Sequence, residues 1–208
     1  MATLHAFPHL TFTPEPTTLK RWTVADYHRM GEFGILQPDE RTELIAGQII
    51  FMAAKGTLHV LALRLLSTAF DRQLTNLPFL VSTQDPIQLD DFSQPEPDCA
   101  IVRGTAFDYV NRHPSAGETV LVVEVADSTL KYDTEVKDKF YAQSGIPDYW
   151  VIDVKNRQLH IFRDPTARGY TSHEILQEPD QITPLAFPKQ VMALTDILPP
   201  LTVGTDQS

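Results

Sequence analysis

The chain of 208 residues is long enough for one domain with a sizeable core, and 42% hydrophobic and 21% charged residues are typical of a soluble globular protein. No apolar run approaches the roughly 18 residues of a membrane helix, no signal-peptide pattern is present, and the single cysteine, Cys99, excludes an internal disulfide, so we expect a cytoplasmic protein. The net charge of −10 argues against a broad basic surface for nucleic acid, although a local basic cleft stays possible.

The first third of the chain predicts an arm, a short helix, a hairpin and a long helix. Residues 1–20 are rich in proline and threonine, which favours an extended or disordered arm. Thr23 and Asp26 have the spacing of a capping box at the start of a helix. The segment TELIAGQIIFMA predicts a hairpin that turns at Ala46-Gly47. The helix over TLHVLALRLLSTAFDRQLTN is predicted from apolar residues at near-helical spacing: Leu58, Leu61, Leu65 and Phe70.

The remaining two thirds are mostly strand-like. PFLVSTQDPIQL carries a proline, which favours an edge or bulged strand, whereas PDCAIV and TVLVVEVA predict strands covered on both faces. YDTEVKDKFYAQSG predicts a helix closed by Gly145, and DYWVIDV, QLHIFR and GYTSHEIL predict further strands. This order predicts one α/β or α+β domain around a mixed sheet over residues 21–200, followed by a flexible tail over residues 201–208.

Two carboxylates stand in strands that the pattern predicts to be buried. Asp98 precedes the run CAIV, and Glu124 interrupts the run VLVVEVA. Ionised carboxylates are rarely buried without a partner, and two of them on adjacent strands can share a divalent ion such as Mg²⁺, which prefers oxygen ligands. From these residues alone, the commoner interpretation is that each carboxylate caps a loop or pairs with an arginine.

A lysine follows on the next predicted helix. Asp133, Lys137 and Tyr141 are spaced four residues apart and share one helix face. One hypothesis places the Lys137 ammonium beside a hydrolytic water, where it offsets charge on a phosphate. The alternative is a solvated ion pair worth a few tenths of a kcal/mol. Lys139 is a rival cation.

Two further polar residues lie upstream. Glu43 begins the predicted hairpin strand, and His59 lies in the first turn of the long helix. A glutamate there is usually a surface residue, and a histidine on an apolar helix is usually structural. The motifs GxGxxG, HExxH and GxSxG and the P-loop are absent from the sequence, so the mechanisms that they serve lack support.

The ordered pattern TELIAGQI, H, PEPDCAIV and VLVVEVADSTLKYDTEVKDKFYAQSGIPDYWVIDV resembles the Uma-two family of restriction-endonuclease-like proteins, within the PD-(D/E)XK nuclease superfamily. The resemblance runs from about Trp22 to about Leu198, and its most specific part is Glu124 to Asp153. It implies a restriction-endonuclease-like fold, in which helices flank a mixed β-sheet core that carries the acids on central strands.

The resemblance also implies roles for particular residues. Asp98, in Pro97-Asp98, would be one metal ligand, Glu124 a second and the backbone carbonyl of Val125 a third. Ala126 stands where the superfamily has its lysine, and Lys137 fits the place to which this family moves it. Glu43 and His59 match auxiliary polar positions near the site, and Asp133 and Tyr141 are predicted as further auxiliary residues.

The function predicted from the sequence is therefore a Mg²⁺-dependent endonuclease, with Mn²⁺ as a substitute ion, that hydrolyses phosphodiester bonds in nucleic acid, with DNA favoured over RNA. The first alternative is a non-catalytic binding module on a nuclease fold, which the acidic net charge favours. Another is an interaction protein that dimerises through the late hairpin. We expect a homodimer that does not contact membranes.

Overall fold

The computed structural model describes residues 19–200. The arm predicted over residues 1–20 lies outside this range except for Leu19 and Lys20, and the tail predicted over residues 201–208 lies wholly outside it. Within the described range, no helix is both long enough and apolar enough to cross a bilayer.

The helices are α1 (Val24–Glu32), α2 (Thr57–Leu74), α3 (Leu130–Tyr132) and α4 (Asp138–Gln143), and a π-helical turn (Asp133–Lys137) joins the last two. The strands are β1 (Thr42–Ile45), β2 (Gln48–Phe51), β3 (Phe79–Thr83), β4 (Cys99–Arg103), β5 (Thr119–Ala126), β6 (Asp148–Asp153), β7 (Gln158–Thr166), β8 (Gly169–Gln177), β9 (Gln181–Ile182) and β10 (Met192–Ala193). Short 3-10 turns cover Ala106–Tyr109, Ala116–Glu118 and Leu194–Asp196.

Strands β3 to β8 form one six-stranded mixed sheet in chain order. All neighbours are antiparallel except β5 and β6, which run parallel. A parallel pair needs a crossover connection, and the helical segment of residues 130–143 supplies it. Strand β3 lies at the sheet edge, as its proline predicts, and Pro86 itself falls beyond the strand end.

Two hydrophobic cores cover opposite faces of this sheet. Along β4 and β5, Ile101 and Val123 point into the core shared with α2, whereas Ala100 and Val122 point into the core shared with α4. All eight residues of β5 are buried. The prediction of a mixed sheet flanked by helices and covered on both faces is therefore confirmed.

The long helix α2 buries a different stripe from the one expected. Of the four residues named from the spacing, only Phe70 is buried, and Leu61 is 37% exposed. Both stripes have helical spacing, so periodicity could not choose between them. Small side chains on the observed stripe allow α2 to approach the sheet. The buried residues are His59, Ala62, Leu63, Leu66, Ala69, Phe70 and Leu74.

Local signals place the elements before α2 correctly. Thr23 caps α1 and forms the predicted capping box with Asp26. The hairpin of β1 and β2 turns at Ala46 (φ 52°) and Gly47 (φ 78°), which is the left-handed geometry of a two-residue type I′ turn. Its register pairs Glu43 with Ile50, and Leu44 bridges to Gln94. The bridge to Gln94 holds the hairpin against the domain, and the Glu43 side chain is buried there.

Candidate active site

Four buried carboxylates from four separate segments line one cavity of about 300 Å³, and a fifth, partly exposed acid, Asp127, lines it as well. Glu43 lies in β1, Asp98 directly precedes β4, Glu124 lies in β5 and Asp133 begins the π-helical turn. Each of these four residues is at most 7% exposed. The sheet therefore brings together Asp98 and Glu124, which the sequence predicted as metal ligands, and adds two predicted auxiliary acids.

Asp98 is held by three donors. The His59 ring nitrogen Nε2 lies 3.0 Å from Oδ1, the Gln84 side-chain amide donates to Oδ1 at 3.3 Å, and the Val125 backbone N–H donates to Oδ2 at 3.0 Å. Burial by itself would raise the pKa of Asp98, but the hydrogen bond and charge of His59, with the Val125 amide, hold that pKa below its usual value. Asp98 is thus an ionised carboxylate with a fixed orientation.

Glu124 has a different environment. Its Oε1 accepts hydrogen bonds from Lys137 Nζ at 3.0 Å and Tyr141 Oη at 2.8 Å, and its Oε2 accepts one from the Asp98 backbone N–H at 3.3 Å. Burial raises the pKa of Glu124 to about 8; the Lys137 ammonium opposes this rise, and the neighbouring acids add to it. Burial thus disfavours the ionised form of Glu124, and a nearby cation would stabilise that form.

Lys137 lies between two acids rather than in solvent. Its ammonium is 3.0 Å from Glu124 Oε1 and 3.2 Å from Glu43 Oε2, and these are its ion pairs in the described part of the chain. Burial would lower the pKa of Lys137, but the surrounding carboxylates outweigh burial and raise it. The alternative of a solvated ion pair with Asp133 is therefore wrong. The rival cation, Lys139, is exposed.

Both ends of the π-helical turn are buried, Asp133 at its start and Lys137 at its end. Its wider winding changes the helix phase between α3 and α4, and such turns are frequent at functional sites. The Tyr149 hydroxyl donates to the Asp133 backbone carbonyl at 2.9 Å, and the Thr129 hydroxyl donates to the Asp133 carboxylate at 2.6 Å. Burial, opposed by Lys137, raises the pKa of this carboxyl to about 6.

Sequence reasoning missed two residues that contact Asp98. Lys55 Nζ lies 4.0 Å from Asp98 Oδ1, and the Gln84 side chain donates to the same oxygen. Lys55 stands in the connection from β2 to α2, and Gln84 follows the end of β3. Neither position has a motif or a periodicity, and only the folded chain brings both to the cavity.

The chemistry of the donor set fits a hard divalent ion. Within residues 19–200, no three His, Cys, Asp or Glu side chains are placed to surround one ion by themselves. Mg²⁺ needs fewer, since it is usually bound through one or two carboxylates and keeps several waters. Asp98 and Glu124 can supply these carboxylates, and the surplus of acids over lysines in the cavity favours a cation. The Val125 carbonyl as a third ligand stays a prediction.

A mixed sheet that carries acids at the start of one central strand and within the next, with a lysine on the following helix, defines a restriction-endonuclease-like protein. The chain belongs to the Uma2 family, described as "putative restriction endonuclease", whose match covers residues 24–195. The resemblance drawn from the sequence is thereby confirmed, and membership supports a nuclease.

A solved structure gives the same picture of the fold. The chain is similar to a putative nuclease belonging to DUF820 from Anabaena variabilis ATCC 29413, with a TM-score of 0.65 and 13% sequence identity. The similarity covers 84% of this chain and 96% of the other. No curated protein matches the chain.

Proposed function

We propose that this protein is a metal-dependent endonuclease that hydrolyses phosphodiester bonds in DNA. The observation that carries the proposal is the convergence of Asp98, Glu124 and Lys137 on one cavity. Family membership supports the same reaction class. Mg²⁺, or Mn²⁺ in its place, would be held by Asp98, Glu124 and the Val125 carbonyl. When bound, the ion would supply Lewis acidity at the scissile phosphate and favour ionisation of the attacking water.

Side chains around the cavity orient the proposed metal ligands and position the attacking water. His59 and the Val125 amide orient the Asp98 carboxylate toward the cavity. Lys137, fixed between Glu43 and Glu124, positions the attacking water and offsets charge that develops on the phosphate. Tyr141 holds Glu124 Oε1 from the far side, since its hydroxyl donates to this oxygen while its side chain is buried. Asp133 adds a further carboxylate to the lining of the cavity.

The proposal is tested by cleavage of labelled oligonucleotides with Mg²⁺, with Mn²⁺ and with a chelator. We expect cleavage that requires a divalent ion and that falls at least 100-fold in Asp98→Asn and Glu124→Gln. Asp39→Asn and Glu135→Gln are matched controls, because both residues are exposed acids outside the cavity. Equal rates in wild type and Asp98→Asn would show a contaminating activity and overturn the proposal.

A non-catalytic binding module is the second candidate. The net charge of −10 favours it, because phosphate neutralisation by Lys and Arg dominates nucleic-acid affinity. Such a module binds oligonucleotides without turnover under every metal condition of the same assay. The homodimer and the cytoplasmic location stay predictions from the sequence, and sedimentation tests the first of them.

A further inference from the structure

One wall of the cavity is formed by residues 50–55, which run from the end of β2 into the connection before α2. We call this segment the 50–55 wall. Its first five residues are apolar and its last residue is Lys55. Phe51 follows Ile50, the register partner of Glu43, at the end of β2, and both residues line the cavity. The wall therefore combines an aromatic ring and a cation beside the proposed metal ligands.

Phe51 is 70% exposed although it lines the cavity. It ends β2, which has β1 as its only partner strand in the described sheets, so no second strand covers it. A large aromatic side chain in water forgoes the favourable burial that such rings usually have. Beside a phosphodiester-cleaving site, the ring offers a face on which a nucleobase can stack.

Lys55 is the second lysine of the cavity. Its side chain is 16% exposed, and its one ion pair in the described chain, with Asp98 Oδ1, spans 4.0 Å. Lys137, by contrast, is held by two carboxylates at 3.0 and 3.2 Å. Lys55 is thus the lysine of this cavity with the weaker hold on protein carboxylates, and its ammonium can pair with a phosphate that enters beside the acids.

The size of the cavity restricts the strand that can enter. About 300 Å³ is at the small end of the range for ligand pockets, and four of the five acids that line it are buried. A base inside a duplex keeps both faces in the stack, so stacking on Phe51 requires an unpaired or extruded nucleotide. Stacking also gives affinity that an acidic protein cannot obtain from charge alone.

We infer that the 50–55 wall binds one unpaired nucleotide of the substrate, with its base stacked on Phe51 and a phosphate paired with Lys55, so that single-stranded DNA is the preferred substrate. This inference rests on the proposed function, since it names the substrate class of the same site. It assigns Phe51 and Lys55 to substrate binding, a role that neither the family match nor the fold gives them.

The test is fluorescence anisotropy with labelled single-stranded and duplex oligonucleotides of one sequence, with Ca²⁺ replacing Mg²⁺. We expect wild type to bind the single strand about 10-fold or more tightly than the duplex. Phe51→Ala should weaken single-strand binding by about 10-fold through the loss of one stacked base, and Phe51→Trp should retain it. Lys55→Gln should reduce the slope of log affinity against log salt by about 0.7. Phe107→Ala is the matched control, because Phe107 is 89% exposed and lies outside the cavity.

Equal single-strand affinity in wild type and Phe51→Ala overturns the inference, and so does tighter binding of the duplex or an equal loss in Phe107→Ala. Cleavage of the same oligonucleotides with Mg²⁺ separates the two proposals. Binding through Phe51 without cleavage supports the inference and overturns the proposed hydrolysis. Cleavage of duplex and single strand at rates that Phe51→Ala leaves unchanged overturns the inference alone.

Discussion

Lys137 Nζ lies 3.0 Å from Glu124 Oε1 in the protein interior, with both side chains almost fully buried. A buried ion pair is weak evidence of a gain in stability, because the desolvation of two charges can exceed their attraction. Replacement of such a pair by apolar residues of similar volume is often neutral or stabilising. The pair is better explained by the chemistry of the cavity that it lines.

Removal of Lys137 leaves Glu43 and Glu124 buried without their cation. We expect Lys137→Ala to lower the free energy of unfolding at pH 9, where Glu124 is ionised, by about 3–5 kcal/mol, the cost of breaking a buried pair from one side. Lys139→Ala, at an exposed position two residues on, should change it by no more than about 0.5 kcal/mol. Urea denaturation measures both. Similar small losses in the two variants would contradict the buried network.

The raised pKa of Glu124 predicts a pH dependence of stability in the absence of divalent ions. Because the pKa is about 8 in the folded chain and about 4.5 in the unfolded chain, the folded state holds this proton more tightly. The contribution to stability is full below pH 4.5 and is lost as the pH rises to about 8. Lys137 stays charged over this window, because its pKa is raised.

The measurement is the difference in unfolding free energy between wild type and Glu124→Gln from pH 5 to pH 8. We expect wild type to lose stability relative to the variant as the pH rises, and saturating Mg²⁺ to diminish that loss, since a bound cation favours the ionised carboxylate. Glu135→Gln, at an exposed acid, should follow wild type throughout. A constant difference between wild type and Glu124→Gln would rule out the raised pKa.

His59 acts through Asp98 rather than on the substrate in this account, since its ring nitrogen lies 3.0 Å from Asp98 Oδ1. We expect His59→Ala to lower metal affinity or cleavage by about 10–100-fold, the usual effect of losing a partner of a metal ligand. His59→Gln should recover part of the loss, because it restores an N–H donor. Calorimetric metal affinity is the readout, and His173→Ala, an exposed histidine on β8, is the control. An unchanged affinity in His59→Ala would remove this role.

The turn of the first hairpin supports the site from a distance. Gly47 has a φ of 78°, and a Cβ there would meet Arg21 Cβ at 2.6 Å. We expect Gly47→Ala to destabilise the protein by about 1–3 kcal/mol through backbone strain and this clash. Gly117→Ala is the matched control, since a Cβ at Gly117 meets nothing within 4 Å. The comparison is made by thermal unfolding, and equal melting temperatures would contradict the predicted strain.

The parts of the fold that the sequence predicts are those with local causes. Thr23 and Asp26 form a capping box within four residues, Ala46-Gly47 forms a two-residue turn, and Gly145 adopts a φ of 79° after α4. The continuous apolar runs of β4 and β5 require cover on both faces, which the two cores provide. In each case the chemistry that decides the structure lies within a few neighbouring residues.

The parts that it misses depend on contacts between distant segments. The spacing of Lys137 and Asp133 by itself favoured a solvated ion pair, whereas the partners of Lys137 are Glu43 and Glu124, 94 and 13 residues away in the chain. Lys55 and Gln84 have no local sequence signal. The residues of α2 that are buried are those that pack against the sheet, which the helical spacing alone does not identify. Where two arrangements fit the local sequence equally well, only the tertiary structure shows which one forms.

In the proposed function, Asp98 and Glu124 share one divalent ion. Calorimetric titration of the metal-free protein with Mn²⁺ tests it most directly, with wild type, Asp98→Asn, Glu124→Gln and the exposed-acid control Asp39→Asn measured side by side. We expect one ion per chain in wild type and Asp39→Asn, and a loss of that site in each of the two cavity variants. Binding of the same stoichiometry and affinity in all four proteins would contradict it.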